Sequence, residues 1–195
     1  MMSSADSTVS ADRFSGDARR ECELFAGLRI VVVASNCRAA VLRTLASARW
    51  LSMRGAEVMF LDTGSQDGSL EVVRARHPAV VALDVASSPL LLSDVAIQSL
   101  SDAEGTTGVT RRSPRWILQC PPGAWLDRFE VQGWMREIDQ LPAGCFLTPR
   151  VEGEDESGAW VLARFQDLAE LGSASAAVAR FVPVTRRVLE RSTAS

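Results

Sequence analysis

The sequence contains no tyrosine, no lysine and one histidine, His77; all 21 basic residues are arginine. A single histidine excludes any mechanism that needs two. Without tyrosine, and with the arginines scattered along the chain, there is no aromatic-basic interleaving of the kind that tracks nucleic acid. The net charge is -3, and no basic stripe for nucleic acid or a membrane surface is visible. The arginine-only usage reads as codon bias. Cys22, Cys37, Cys120 and Cys145 form no C-x-x-C pair and have no neighbouring histidine, so neither a zinc site nor a disulfide framework is indicated, and four reduced thiols are expected. Long apolar runs are absent too. The run Ile30 to Ala34 is far too short to span a bilayer, and residues 1–20 lack the apolar core of a signal peptide, so the expected location is cytoplasmic.

What is present suits one soluble domain. The chain has 195 residues, 47% hydrophobic and 23% charged. A domain of that size buries roughly 70% of the surface its unfolded chain exposes. Residues 1–27 read as a disordered leader with a short lead-in at Cys22, Leu24 and Phe25, residues 28–191 as the folded domain, and 192–195 as a tail.

The central stretch is EVMFLDTGSQDGSLEVV, residues 57–73. An apolar run ends at Asp62, a Gly/Ser/Asp cluster follows, and Leu70, Val72 and Val73 resume with helical spacing, which predicts a strand, a turn and a helix. Asp67 is the expected N-cap of that helix, and His77-Pro78 its end. Upstream, RIVVVA (29–34) predicts a central strand. Ser35-Asn36 is the expected cap of a helix carrying Val41, Leu42, Leu45, Ala48 and Leu51, closed by Gly55. Downstream, 79–85 predicts a third strand, Leu90 to Leu100 a helix, 101–114 a polar loop, and 115–120 a fourth strand ended by Pro121-Pro122-Gly123. Val131, Trp134, Met135, Ile138 and Leu141 mark another helix, 145–151 and 159–165 two further strands, 179–184 a last strand and 186–191 a terminal helical turn. Strands alternating with helices predict an α/β fold with a mostly parallel sheet flanked by helices.

LRIVVVASN, a helix and then FLDTGSQDGS resemble the start of a family 2 glycosyltransferase of the GT-A fold, whose members carry a strand ending near Asn and a V-V-D-D-G-S-x-D-G-S segment. WILQCPPGAWL resembles the apolar strand that precedes the family's Asp-x-Asp, and FVPVTRRVLERS resembles its strand, Arg-Arg pair and short helix. The resemblance covers roughly residues 28–191 and implies a nucleotide-diphospho-sugar site across the ends of the first strands. Ala34 and Ser35 would flank the nucleobase, with Asp62 and Thr63 beside base and ribose. A carboxylate there can accept from a uracil N–H or a ribose hydroxyl. Asp62 and Asp67 also suit plain turn building and helix capping, the preferred reading for Asp67.

Departures from the pattern are specific. The family's second aspartate is Thr63 here, its N-x-G segment is Ser87-Ser88-Pro89, and its metal-holding Asp-x-Asp aligns with Cys120-Pro121-Pro122. Proline offers no side-chain ligand to Mg²⁺ or Mn²⁺, so no divalent metal or other cofactor is expected. The catalytic base of the family follows the Arg-Arg helix, and the sequence ends at Ser195 before such a segment. Glu154, Asp155 and Glu156 form the one dense acidic run downstream, which reads as a solvated loop. No catalytic residue is therefore assigned. The expectation is a degenerate or truncated member with residual nucleotide-sugar binding. Two alternatives stand beside it: a metal-independent transferase that neutralises the diphosphate with Arg111, Arg112 or Arg115, and a non-enzymatic module that docks a protein partner through Trp116, Trp125 and Trp134. FLDTGS also matches the aspartic-protease signature, but those enzymes need a second such aspartate and an all-β fold, and Asp84-Val85-Ala86-Ser87 lacks the glycine.

Overall fold

A computed structural model of the chain describes residues 19–84, 114–143, 146–147 and 160–167. In chain order the elements are β1 (Leu28–Ala34), α1 (Arg38–Met53), β2 (Glu57–Asp62), α2 (Ser69–Arg76), β3 (Val81–Asp84), β4 (Trp116–Cys120), α3 (Arg128–Gln140), β5 (Phe146–Leu147) and β6 (Val161–Arg164). The strands form one sheet in the order β3-β2-β1-β4-β6-β5. β1, β2, β3 and β4 run parallel, while β6 is antiparallel to both β4 and β5.

The unbroken apolar runs of β1 and β2 arise because both faces of these strands are covered. On one face Ile30, Val32, Phe60, Leu118 and Leu162 pack against Val41, Leu45 and Leu51 of α1, Leu70 and Val73 of α2, and Val131, Trp134 and Ile138 of α3. On the other, Val31, Met59, Leu61, Ile117 and Ala163 form a second buried cluster. Each fully buried side chain of this size contributes about 1.5–3 kcal/mol.

Gly55 ends α1 as its spacing predicts. It takes φ +102°, and the Gly55 and Ala56 N–H groups donate back to the Ser52 and Leu51 carbonyls (3.0 and 3.1 Å), the reciprocal pattern that glycine allows at a helix end. His77 stops α2 as expected. The start of α1 differs from expectation. Its N-cap is Cys37, whose side chain makes no capping bond, and Ser35-Asn36 lie one step outside. Leu141 likewise falls just beyond α3 as its C-cap, and β3 begins at Val81.

Residues 19–25, which include the expected short lead-in at Cys22, Leu24 and Phe25, are helical, and Phe25 is buried edge-on against Trp50 at 5.8 Å. The expected helix at 90–100, the strand at 179–184, the helical turn at 186–191 and the acidic run 154–156 lie outside the described residues. No helix among the described residues is long and apolar enough to cross a membrane.

Two hydroxyls on the buried side of α1 fix the segment after β4. Thr44 Oγ1 accepts from the Gly123 N–H (2.9 Å), which also donates to the Ala40 carbonyl (3.1 Å). Ser47 Oγ accepts from the buried Leu126 N–H (3.1 Å) while donating to the Thr44 carbonyl (2.8 Å). Ser47→Ala strands the Leu126 N–H. A buried donor without a partner costs about 1–3 kcal/mol, so that loss is expected in urea unfolding.

Candidate functional site

The chain leaves β1 toward β2 and β3 on one side, then returns to β4 on the other. In open α/β sheets the crevice outside the carboxyl ends of the strands at such a reversal is where ligands bind. The residues on this edge are those that follow β1, β2 and β4.

Register places Ala34 of β1 opposite Asp62 of β2, and Asp62 opposite Asp84 of β3, so the three lie in one row at the carboxyl edge. Because side chains alternate along a strand, this row shares the helix-covered face with Val32 and Phe60. Asp62 is buried, 2% exposed, and its Oδ1 accepts from both the Ser65 N–H (3.1 Å) and the Ser65 hydroxyl. Its Oδ2 takes no hydrogen bond from a described residue. Thr63 is exposed; its N–H and hydroxyl both donate to the Ala34 carbonyl, at 3.1 and 3.3 Å. Ser35 is exposed beside it. The four residues singled out from the sequence, Ala34, Ser35, Asp62 and Thr63, therefore stand together at two neighbouring strand ends.

Asn36 joins the two loops. Held at φ +53°, a region asparagine tolerates better than most side chains, it accepts from the Gln66 N–H through Oδ1 (2.7 Å), and its own N–H donates to Ser65 Oγ (3.0 Å). Asp67 adds a second clasp. Its Oδ2 accepts from the Arg38 N–H at the start of α1 (2.9 Å), and its Oδ1 from the N–H (3.0 Å) and hydroxyl of Ser69. The N-cap position of α2 belongs to Gly68, so the cap expected from Asp67 serves α1 across the loop as well as the first turn of α2. The capping Ser35-Asn36 were expected to provide comes from 29 residues downstream, a tertiary contact that local spacing does not reveal.

The hydroxyl of Ser69, followed by the Arg38 N–H, holds the Asp67 carboxyl below the ordinary aspartate value of 3.8. A depressed carboxylate pKa contributes stability that is complete above pH 3.8 and is lost as pH falls through the folded-state value. Asp67→Asn is therefore expected to flatten the acid limb of the stability profile below pH 3.8 and leave its shape near neutrality unchanged, which urea midpoints across the pH range would measure. Cys37, between the two loops, has its thiol pushed up by burial and then by the charges of Asp67 and Asp62.

The segment after β4 is built differently. Cys120 is buried, its thiol 4.0 Å from the Val31 carbonyl. Pro121, Pro122 and Gly123 are half-buried, with Gly123 at φ +94° and tied to α1. No carboxylate occurs in 120–126, and the donor set there does not fit a hard divalent cation. Arg115 stands at the opposite edge of the sheet, since Trp116 pairs with Leu28 at the start of β1; it stacks on Trp116 (4.3 Å) and pairs with Asp139 (3.0 Å). Arg111 and Arg112 lie outside the described residues. Of the three tryptophans proposed as anchors, Trp116 and Trp134 are core and Trp125 is 62% exposed. Asp84 and the Asn36 clasp were not singled out as site residues; the D-V after the third apolar run was the available signal for Asp84.

A sheet of order 3-2-1-4-6-5 with β6 reversed and helices packed on one face is the architecture of the GT-A fold. Among solved structures, a mannosyltransferase from Pyrobaculum calidifontis, in complex with GDP-mannose and Mn²⁺, superposes with a TM-score of 0.57 at 12% identity, over 83% of this chain and 57% of that one. Glucosyl-3-phosphoglycerate synthase from Mycobacterium tuberculosis, in complex with UDP, does so with a TM-score of 0.51 at 13% identity, over 77% of this chain and 61% of that one. The chain thus spans about three-fifths of the length of these relatives. No known protein-family model matches the sequence, and no curated protein sequence does. The α/β architecture also sets aside the aspartic-protease reading of FLDTGS.

Proposed function

We propose that the chain is a GT-A domain of family 2 type that keeps the nucleotide-binding edge of the fold and has lost the means to transfer a sugar. The observation that carries the binding half is Asp62: a carboxylate 2% exposed at a strand end, one oxygen held by Ser65 and the other without a hydrogen bond from a described residue. Such an oxygen is placed to accept from a base imide N–H or a ribose hydroxyl, with Ala34 and Ser35 flanking the base and Thr63 beside the ribose. Fixing the Ser65 contact in advance removes an ordering cost that a ligand would otherwise bear.

The catalytic half rests on the segment after β4. A diphosphate leaving group develops charge that a metal or a cluster of cations must stabilise. The described residues there supply two prolines and a buried thiol, and Arg115 is held at the far edge. Neighbours of this fold are seen with GDP-mannose and Mn²⁺ or with UDP; in this chain the nucleotide is the part retained and the metal is not part of the proposal. A cytoplasmic setting belongs to the same proposal; a non-enzymatic module whose sheet edge docks a protein partner is the alternative to it. Calorimetric titration with UDP, GDP and their sugars, with and without Mn²⁺, is the test. Saturable heat with one nucleotide series and no product on incubation supports it; absence of heat with every nucleotide removes the binding half, and sugar release removes the other.

A further inference from the structure

Helices α1 and α2 start together at the strand ends that gather Asp62, tied by the Arg38 N–H on Asp67. Each connects two parallel strands, so both run back in the same direction and finish toward the opposite edge of the sheet. Near that far end their facing flanks carry arginine. On α1, Ser47 is bonded to Leu126 on the α3 side (3.1 Å), and Arg49, two residues and about 200° further round, turns toward α2. On α2, Arg74 Nη2 donates to the Ala82 carbonyl of β3 (3.3 Å), the outermost strand, and Arg76, again about 200° further round, turns toward α1. His77 ends α2, half-buried, its N–H on the Val73 carbonyl at 2.8 Å. Both guanidinium charges reach its imidazole: after burial, Arg49 and then Arg76 hold it below the ordinary histidine value of 6.5.

No acid offsets these charges among the described residues. Arg49 and Arg76 are exposed and make neither an ion pair nor a hydrogen bond there, and no carboxylate acts on His77. Glu71 stands in the first turn of α2, about 9 Å back along the helix. Glu57 lies on the other face of the sheet with Arg29, Asp84 ends β3 at its carboxyl edge, and Glu21 pairs with Arg54 (3.6 Å). The carbonyl end of α2 contributes about half a negative charge. Two guanidinium charges, and a third when His77 is protonated, outweigh it.

We propose that Arg49, Arg76 and His77 form a binding site for a small phosphate anion between the far ends of α1 and α2. Two guanidinium forks from different helices and an imidazole N–H present donors from separate directions. A tetrahedral anion with several acceptor oxygens can use all of them, whereas a planar carboxylate engages one fork. Binding supplies the negative charge that the cluster lacks and favours the protonated imidazole, so phosphate uptake and protonation of His77 reinforce each other. The site lies at the other end of these helices from Asp62, and the inference stands independently of the nucleotide reading.

His77 is the only histidine in the sequence, so its imidazole proton resonance in the full chain reads the site directly. Titrating pH with inorganic phosphate, and with chloride at matched ionic strength, is the test. Phosphate is expected to raise the His77 midpoint by about one pH unit, the effect of a dianion a few ångströms away in water, and to do so saturably. Chloride is expected to leave it nearly unchanged. Without phosphate, Arg49→Gln and Arg76→Gln should each move the midpoint back toward 6.5, and each should weaken phosphate binding about fivefold, the upper figure for an exposed charge pair. Both changes are at exposed side chains, and circular dichroism reports whether the fold is kept. An equal response to both anions, a response that does not saturate, or folded variants that respond like the parent would overturn the proposal.

Discussion

Glu57→Ala is expected to lower the unfolding free energy by about 3 kcal/mol, the lower end of the range for breaking a buried ion pair. Arg29 of β1 is 1% exposed and donates from Nε to Glu57 Oε2 of β2 at 2.6 Å, the two residues being direct register partners. Alternation puts the pair on the same face as Val31, Met59 and Leu61, at the opening of two central strands. Removing the carboxylate takes from the buried guanidinium the acceptor at its Nε. Glu57 is a quarter exposed, which is why the lower figure applies. The double replacement Arg29→Met with Glu57→Leu discriminates the cause. It removes both charges and keeps volume, so stability is expected to return to within about 1 kcal/mol of the parent. A double variant as unstable as the single one would show that packing rather than the lost charge pairing is responsible. Urea unfolding of the parent, Glu57→Ala and the double variant gives the answer.

Asp62→Asn is expected to weaken nucleotide binding by roughly tenfold to a hundredfold, the equivalent of one hydrogen bond to a charged acceptor. The amide keeps the shape and can still accept from Ser65 through its carbonyl oxygen, so the loop at 63–68 is conserved while Oδ2 changes from acceptor to donor. A ligand N–H would then face an N–H. Thermal unfolding reports whether the fold survives. The neighbouring Asp84, in register with Asp62, offers a comparison: Asp84→Asn is expected to change affinity less, because its side chain is exposed to water.

Much of the fold was legible in local sequence because its causes are local. Val58 to Leu61 and Ile30 to Ala34 are apolar throughout because strands covered on both faces have no polar side, and Gly55 and Pro78 stop helices by their own backbone limits. The strand ends that gather Ala34, Ser35, Asp62 and Thr63 follow from the same runs. What could not be read is tertiary. Asp67 caps α1 from the far loop, β6 runs antiparallel beside β4, and Arg115 sits at the edge of the sheet away from the strand ends although it is only five residues from Cys120. Trp116 and Trp125 look alike in sequence, yet one is core and the other exposed.

The acidic profile, the buried pair and the pinned segment after β4 all concern the frame. The claim at the centre is that this frame retains a nucleotide site without a metal-held diphosphate, and one comparison addresses it most directly: the dissociation constant for UDP or GDP, whichever binds, measured in EDTA and again in excess Mn²⁺. Equal affinity in the two conditions, with the Asp62→Asn variant weaker in both, is the predicted result. Affinity that appears only with Mn²⁺, or rises tenfold or more in its presence, would contradict the account and place a metal site in the chain.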